Sequence, residues 1–233
     1  MKSSVLESAA RAKRWQHPNI AEVVDAGEQA GTLYVASRLV EGKSLSELQT
    51  RFPREFDIPL AAYIAREICA ALHYAQDQVS GFVHRNLNPR TIMLGFRGDV
   101  VLIDVGFVPV RVAADSTQVL NRMEARHLSP EHLAGRGIDA RSDIFSIGVI
   151  LYELLAQEPI DPRKKAVLAD VDTVRPEVPS ALAKATMRAI ALRPTERFRS
   201  SQEMEEELVG VLRQLAPGYG PQAAEWMAKR FQT

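Results

Sequence analysis

Between Val83 and Leu94 the chain gathers side chains able to grip a ligand: His84, Arg85, Asn86, Asn88, Arg90 and Thr91. Asp104-Val105-Gly106 follows ten residues later. Asp104 is the one carboxylate of this set, and a carboxylate oxygen is the ligand a hard cation such as Mg²⁺ selects. Thr91 offers a hydroxyl to the same kind of ion, at a shorter reach. Asn86 offers only an amide, which cannot take a proton from an alcohol as a carboxylate does. The plainer alternative for Asp104 is a structural acid at a strand end. His84 is read as a packed core imidazole, because His17, His73, His127 and His132 show no metal-ligand spacing with it.

The elements that must position these groups follow from periodicity. A helix is expected over 4–15 with Val5, Ala9, Ala12 and Trp15 on one face, ended at His17-Pro18 because proline cannot continue the ladder. Strands are expected over 21–25 and 32–38, joined by a turn over 27–31. A short helix over 44–50 precedes a long amphipathic one over 59–76, with Ile64, Ile68, Ala71, Leu72 and Ala75 at helical spacing. The loop of interest then feeds short strands over 92–94 and 100–103 around a turn at 95–99. Residues 104–131 form a connection longer than ordinary loops. Residues 144–155 are apolar on nearly every face yet too few to cross a bilayer, which predicts a buried central helix. Irregular chain is expected over 158–180, helices over 180–192 and 200–214, and an amphipathic tail helix after the break at 217–221.

Composition sets the limits. The chain has 233 residues, no net charge and one cysteine, enough for one large domain or a bilobal unit. Zero charge provides no field for nucleic acid or a membrane surface. Cys69 lies in an apolar helical pattern and is read as a buried, inert thiol, which excludes an intrachain disulfide. No run of about 18 apolar residues exists to span a bilayer, and a soluble cytoplasmic protein is expected.

The loop and its surroundings resemble the protein kinase superfamily of eukaryotic type, in the wording of bacterial Ser/Thr kinases. The family writes H-R-D-x-x-x-x-N, with Lys two residues after the Asp, and then D-F-G. Here Asn86 stands for the catalytic Asp, Asn88 for the Lys and Thr91 for the metal-binding Asn, while Asp104 keeps its identity. Further resemblances lie at His17-Pro18-Asn19-Ile20, at Leu33–Leu45, at Leu128-Ser129-Pro130-Glu131, at Arg141-Ser142-Asp143 and at Pro194-Thr195-Glu196-Arg197-Phe198. The resemblance implies an α+β fold with a mostly helical lower lobe. It places a reduced upper lobe over 1–40, the lower lobe over 41–214 and a tail over 215–233. It also implies that Glu131 and Arg197 form a buried ion pair, that Asp143 accepts amides of the loop and stays ionised, and that His84 and Arg85 are structural.

The same resemblance shows what has changed. The glycine-rich phosphate loop and the Lys of the family's third strand lie outside a chain that begins within helix C, where Ser8, beside Glu7, takes the acidic position. Met123 to His127 replace the family's G-T-x-x-Y. Backbone groups at Arg38 and Val40 remain for adenine, with the small Ser37 guarding the pocket, so ATP and Mg²⁺ are expected to bind weakly at most. Ser116 and Thr117 are offered for phosphorylation beside Arg85, or are simply solvated. The function expected is a pseudokinase acting as a regulatory, protein-binding module. The alternative is a Ser/Thr kinase whose upper lobe is missing from this chain or supplied by another polypeptide. An unpaired strand edge and an exposed Val5, Ala9 or Trp15 would then invite a protein partner or self-association through 1–40. The competing reading has the tail residues Trp226, Met227 and Phe231 folding over that surface.

Overall fold

The computed structural model describes residues 2–105, 125–160 and 168–231, with side chains from residue 6 onward. Expectations placed on Val5, Gly106, Ser116, Thr117, Met123 and Glu124 lie outside those side chains. The core is built on two helices. Asp57 caps the first, α3 (Ile58–Gln78), by accepting the Leu60 amide at 2.7 Å. The second, α5 (Ala140–Ala156), begins at Asp139, and every residue from Ser142 to Leu155 is buried. That is the all-round burial its apolar run predicts. Earlier in the chain lie α1 (Lys2–Ala12) and α2 (Leu45–Arg51), and between the two core helices comes α4 (Pro130–Leu133). Beyond them follow α6 (Val171–Val174), α7 (Ser180–Ala189), a 3₁₀ turn at Pro194–Glu196, α8 (Ser201–Leu215) and α9 (Pro221–Phe231). The first core helix packs along α8 and against the second, giving one continuous apolar interior.

Among the described residues five short strands accompany these helices. β1 (Val23–Gln29) and β2 (Thr32–Ser37) form an antiparallel hairpin. The expected turn over 27–31 is shorter than predicted. Glu28 and Gln29 pair with Leu33 and Thr32, leaving only Ala30 (φ 49°) and Gly31 (φ 81°) to reverse the chain. Two left-handed residues in succession match the twist of a two-residue hairpin, which is what makes the glycine necessary there. β3 (Gly42–Ser44), β4 (Ile92–Gly95) and β5 (Val100–Leu102) form a second antiparallel sheet in that order. The first of these was not expected, since three residues are too few to show alternation.

The first forty residues are fastened to the body by the segment that sequence alone marks only as a helix breaker. The Ala21 amide donates to Leu102 and the Leu102 amide donates to Asn19, both at 2.8 Å. The Asn19 side chain donates to Val100 O at 2.8 Å and to Glu67 at 2.6 Å. Ala9 and Trp15 are buried, contrary to the expectation that either would be exposed. The Trp15 ring meets Phe82 edge-on, with centroids 5.5 Å apart, so the body itself supplies the cover.

The tail also departs from expectation. Trp226 donates its indole N–H to Glu55 O at 3.0 Å and lies on Phe56, 5.2 Å between centroids. Phe231 packs against Phe52 and Phe96, each at 5.8 Å. The tail helix therefore covers α2, the start of α3 and the turn after β4, and not residues 1–40. Gly98 permits this docking. Its φ is +86°, and an added Cβ would lie 2.6 Å from the Ala224 amide and 2.9 Å from Gly220 O. Gly98→Ala is expected to cost about 2 kcal/mol and to free the tail. Limited proteolysis should then cut near 217–220 much faster than in the wild type; equal rates would contradict this docking.

Candidate functional site

The loop joining the long helix α3 to β4 is held from below by Asp143, at the start of α5. Its carboxylate accepts the His84 amide at 2.7 Å and the Arg85 amide at 3.1 Å, as expected. Burial pushes the carboxyl up to about 7, and the two amides offset only part of that. His84 is fully packed, and burial holds its imidazole down at about 4, with weak opposition from the main chain of Ile103 and of His84 itself. Neither ring nitrogen has a partner of good hydrogen-bond geometry. Arg85 takes a left-handed backbone (φ 65°) and points to solvent, so its structural share is the amide given to Asp143.

Asn86, Asn88 and Thr91 meet in one closed turn. Asn88 Nδ2 donates to the Asn86 carbonyl at 2.8 Å and lies 3.2 Å from its Oδ1, while Asn88 Oδ1 accepts the Arg90 amide at 2.9 Å. Thr91 Oγ1 accepts the Asn88 amide at 3.2 Å and lies 2.9 Å from the Asn88 carbonyl and 3.4 Å from that of Asn86. Asn88 is 6% exposed and Thr91 3%. The two side chains that would face a ligand thus point into their own loop. Main-chain bonds from Ser46 to Pro89 O and from Ile103 to Thr91 O, both at 2.9 Å, fix the turn against its neighbours. The second bond sets Asp104 beside the loop, exposed, with φ 61°. Partial loss of hydration raises its carboxyl above the ordinary range.

Arg38 and Val40 border a cleft of about 740 Å³, together with Trp15, Ile20, Phe96 and Arg97. None of Asn86, Asn88, Thr91 or Asp104 lines it. The Arg38 side chain is paired with Glu22 at 2.7 Å, and its amide donates to Glu22 O at 2.8 Å. At the expected acidic position of α1, the Ser8 hydroxyl accepts from Arg11 at 3.1 Å.

Glu131 and Arg197 form the expected pair, and the burial is complete on the arginine side. Arg197 makes two parallel bonds to the carboxylate, at 2.7 and 3.0 Å. It also donates to the carbonyls of Ala191, Arg141 and Leu192 and lies 4.8 Å from the Phe145 ring centre. Burial alone would raise the Glu131 carboxyl, but Arg197, with Ser142 Oγ donating at 2.7 Å, reverses this and holds it at about 2.

A second buried polar group escaped the sequence reading. Glu153, inside the apolar run of α5, lies 3.0 Å from His127 Nε2 and 3.2 Å from Arg126 Nε, and accepts the Ile160 amide at 3.0 Å. A lone acid in an otherwise apolar helix is the signal that a partner exists elsewhere. Among the described residues no group of three or more His, Cys, Asp or Glu is placed to hold a metal ion, and no helix is long and apolar enough to cross a membrane.

A model of the protein kinase domain matches residues 2–216. The serine/threonine-protein kinase PknB of Mycobacterium leprae is 32% identical over 225 residues, covering 87% of this chain and 35% of the relative. The serine/threonine-protein kinase PksC of Streptomyces coelicolor is 30% identical over 215 residues, covering 84% and 38%. The chain thus spans little more than a third of these curated relatives. The crystal structure of the Mycobacterium tuberculosis PknI kinase domain superposes with a TM-score of 0.71 at 26% identity, over 90% of this chain and 78% of that one.

Proposed function

The chain belongs to the protein kinase domain family, and we propose that within it the molecule is a pseudokinase, a cytoplasmic signalling module that binds proteins without transferring phosphate. One observation carries this reading: the closed turn in which Asn88 and Thr91 satisfy each other and the Asn86 carbonyl. Phosphoryl transfer depends on positioning and on charge neutralisation. Asn86 provides no proton acceptor of carboxylate strength, a loss of about 10²–10⁴ in rate. Asn88 provides no cation. The residues present also fit a kinase's metal ions poorly. The Thr91 hydroxyl is enclosed among main-chain groups, and Asp143 is taken up by the loop's own amides, so among the described residues Asp104 is the exposed carboxylate beside the loop.

The second reading, a Ser/Thr kinase completed by an upper lobe from elsewhere, is favoured by the intact Glu131–Arg197 pair and by Asp104. Radiolabelled ATP with Mg²⁺ separates the two. The purified chain is expected to transfer no phosphate to itself or to a generic protein substrate above an Asp104→Ala control. Its melting temperature should rise by less than about 1 °C with ATP. Transfer abolished by Asp104→Ala, or a Mg²⁺-dependent rise of several degrees, would establish the second reading instead.

A further inference from the structure

We propose that the module's partner is a second copy of itself, joined through the outer edge of β2. The inference deepens the binding-module reading and rests on it, but not on the loss of phosphate transfer.

Among the described residues β2 pairs only with β1, so one full side of its backbone donors and acceptors is unpaired within the sheet. Natural proteins blunt such edges with charges, prolines or bulges. The sequence of this strand, Thr-Leu-Tyr-Val-Ala-Ser, has none of the first two, and the single irregularity in the hairpin falls on β1, between Val23 and Asp25. β1, in contrast, is guarded by Asp25 and Glu28, and Asp25 is bridged to Lys13 at 3.0 Å. Large apolar side chains are also exposed around the hairpin: Val24 at 49%, Tyr34 at 40% and Leu39 at 85%. A two-stranded sheet is marginal by itself, and two more strands would bring it to ordinary size.

Charge selects the occupant. A neutral edge gives nothing to a charged strand, but it is matched by an identical neutral edge. A two-fold axis normal to the sheet makes such pairing antiparallel and isologous. Facing side chains must then share a face, so the axis passes through Tyr34 or through Val35. The first register sets Leu33 opposite Val35 and Thr32 opposite Ala36; the second sets Tyr34 opposite Ala36 and Leu33 opposite Ser37. Neither opposes two charges, and both keep the acidic strands on the far sides of the four-stranded sheet.

Light scattering after size exclusion, from about 1 to 100 µM, is expected to show a 25.8 kDa monomer giving way to a dimer of twice that mass. Thr32→Lys with Ser37→Lys alters two exposed positions and should weaken the dimer at least tenfold, with an unchanged thermal melt. In separate variants, Tyr34→Cys or Val35→Cys should form a disulfide-linked dimer on oxidation, according to register. A monomer throughout the range would overturn the proposal. So would a dimer indifferent to the two lysines and cross-linked by neither cysteine. Mass is read independently of phosphate transfer, so failure here and failure of the inactive reading are told apart.

Discussion

Arg197→Ala is expected to remove about 3–5 kcal/mol of unfolding free energy, a large part of what a single domain has. The guanidinium is 0% exposed as a side chain, and its donors go to Glu131 and to three carbonyls from two separate segments. Deleting it leaves a carboxylate and those carbonyls facing a cavity that water reaches poorly. Arg197→Lys should recover little, because a point charge on a flexible stem cannot reproduce a planar fork with parallel bonds. Glu131→Gln should cost less than Arg197→Ala, since the amide oxygen still accepts one bond. Urea unfolding of the three variants gives the order directly. Near-equal losses for Arg197→Lys and a surface Arg→Lys control would show that the fork geometry does not matter.

The second large effect appears in the dependence of stability on pH. His84 is held at about 4 against an ordinary 6.5. The unfolded chain therefore takes up a proton that the folded chain refuses, and stability falls as pH drops from 6.5 towards 4. Asp143 stands at about 7 against an ordinary 3.8. The folded chain keeps a proton there that the unfolded chain releases, so this contribution is present at acid pH and lost as pH rises through about 7. At 1.36 kcal/mol per unit, each is on the order of 3–4 kcal/mol. The two windows overlap with opposite signs, so the wild type should vary little from this pair between about pH 4.5 and 6.5. His84→Leu unmasks the aspartate. Measured against the wild type, that variant should gain about 3 kcal/mol on going from pH 7 to pH 4. Glu131, held at about 2 against an ordinary 4.5, acts mostly below this window: its contribution is lost progressively as pH falls from about 4.5 towards 2, alike in wild type and variant. Parallel profiles for wild type and variant would refute the assignment.

Much of this architecture was legible in the sequence because its signals are local and repeated. The long helix α3 announces itself by period, the buried helix α5 by an unbroken apolar run, and the strands flanking 95–99 by short apolar runs around a turn. The pair Glu131–Arg197 and the role of Asp143 came from resemblance at separated motifs, and both stand in the structure as hydrogen-bonded geometry. What failed was partner choice. Nothing in Trp226 or Phe231 says which apolar surface they will meet, and they chose Phe52, Phe56 and Phe96 over the first forty residues. The exposure expected of Trp15 failed for the same reason, since the Phe82 that meets it is distant in sequence. The substitutions at Asn88 and Thr91 were visible one by one. That they close on each other could be known only once the turn was folded.

The docking of α9 also affects how this protein should be handled. Family resemblance stops at 216, and trimming there would appear harmless. Yet such a cut would strip Phe52 and Phe56 of their aromatic lid and leave a greasy wound beside the entrance to α3. A shortened version that precipitates would then be misjudged as unable to fold, when only its natural bandage had been discarded.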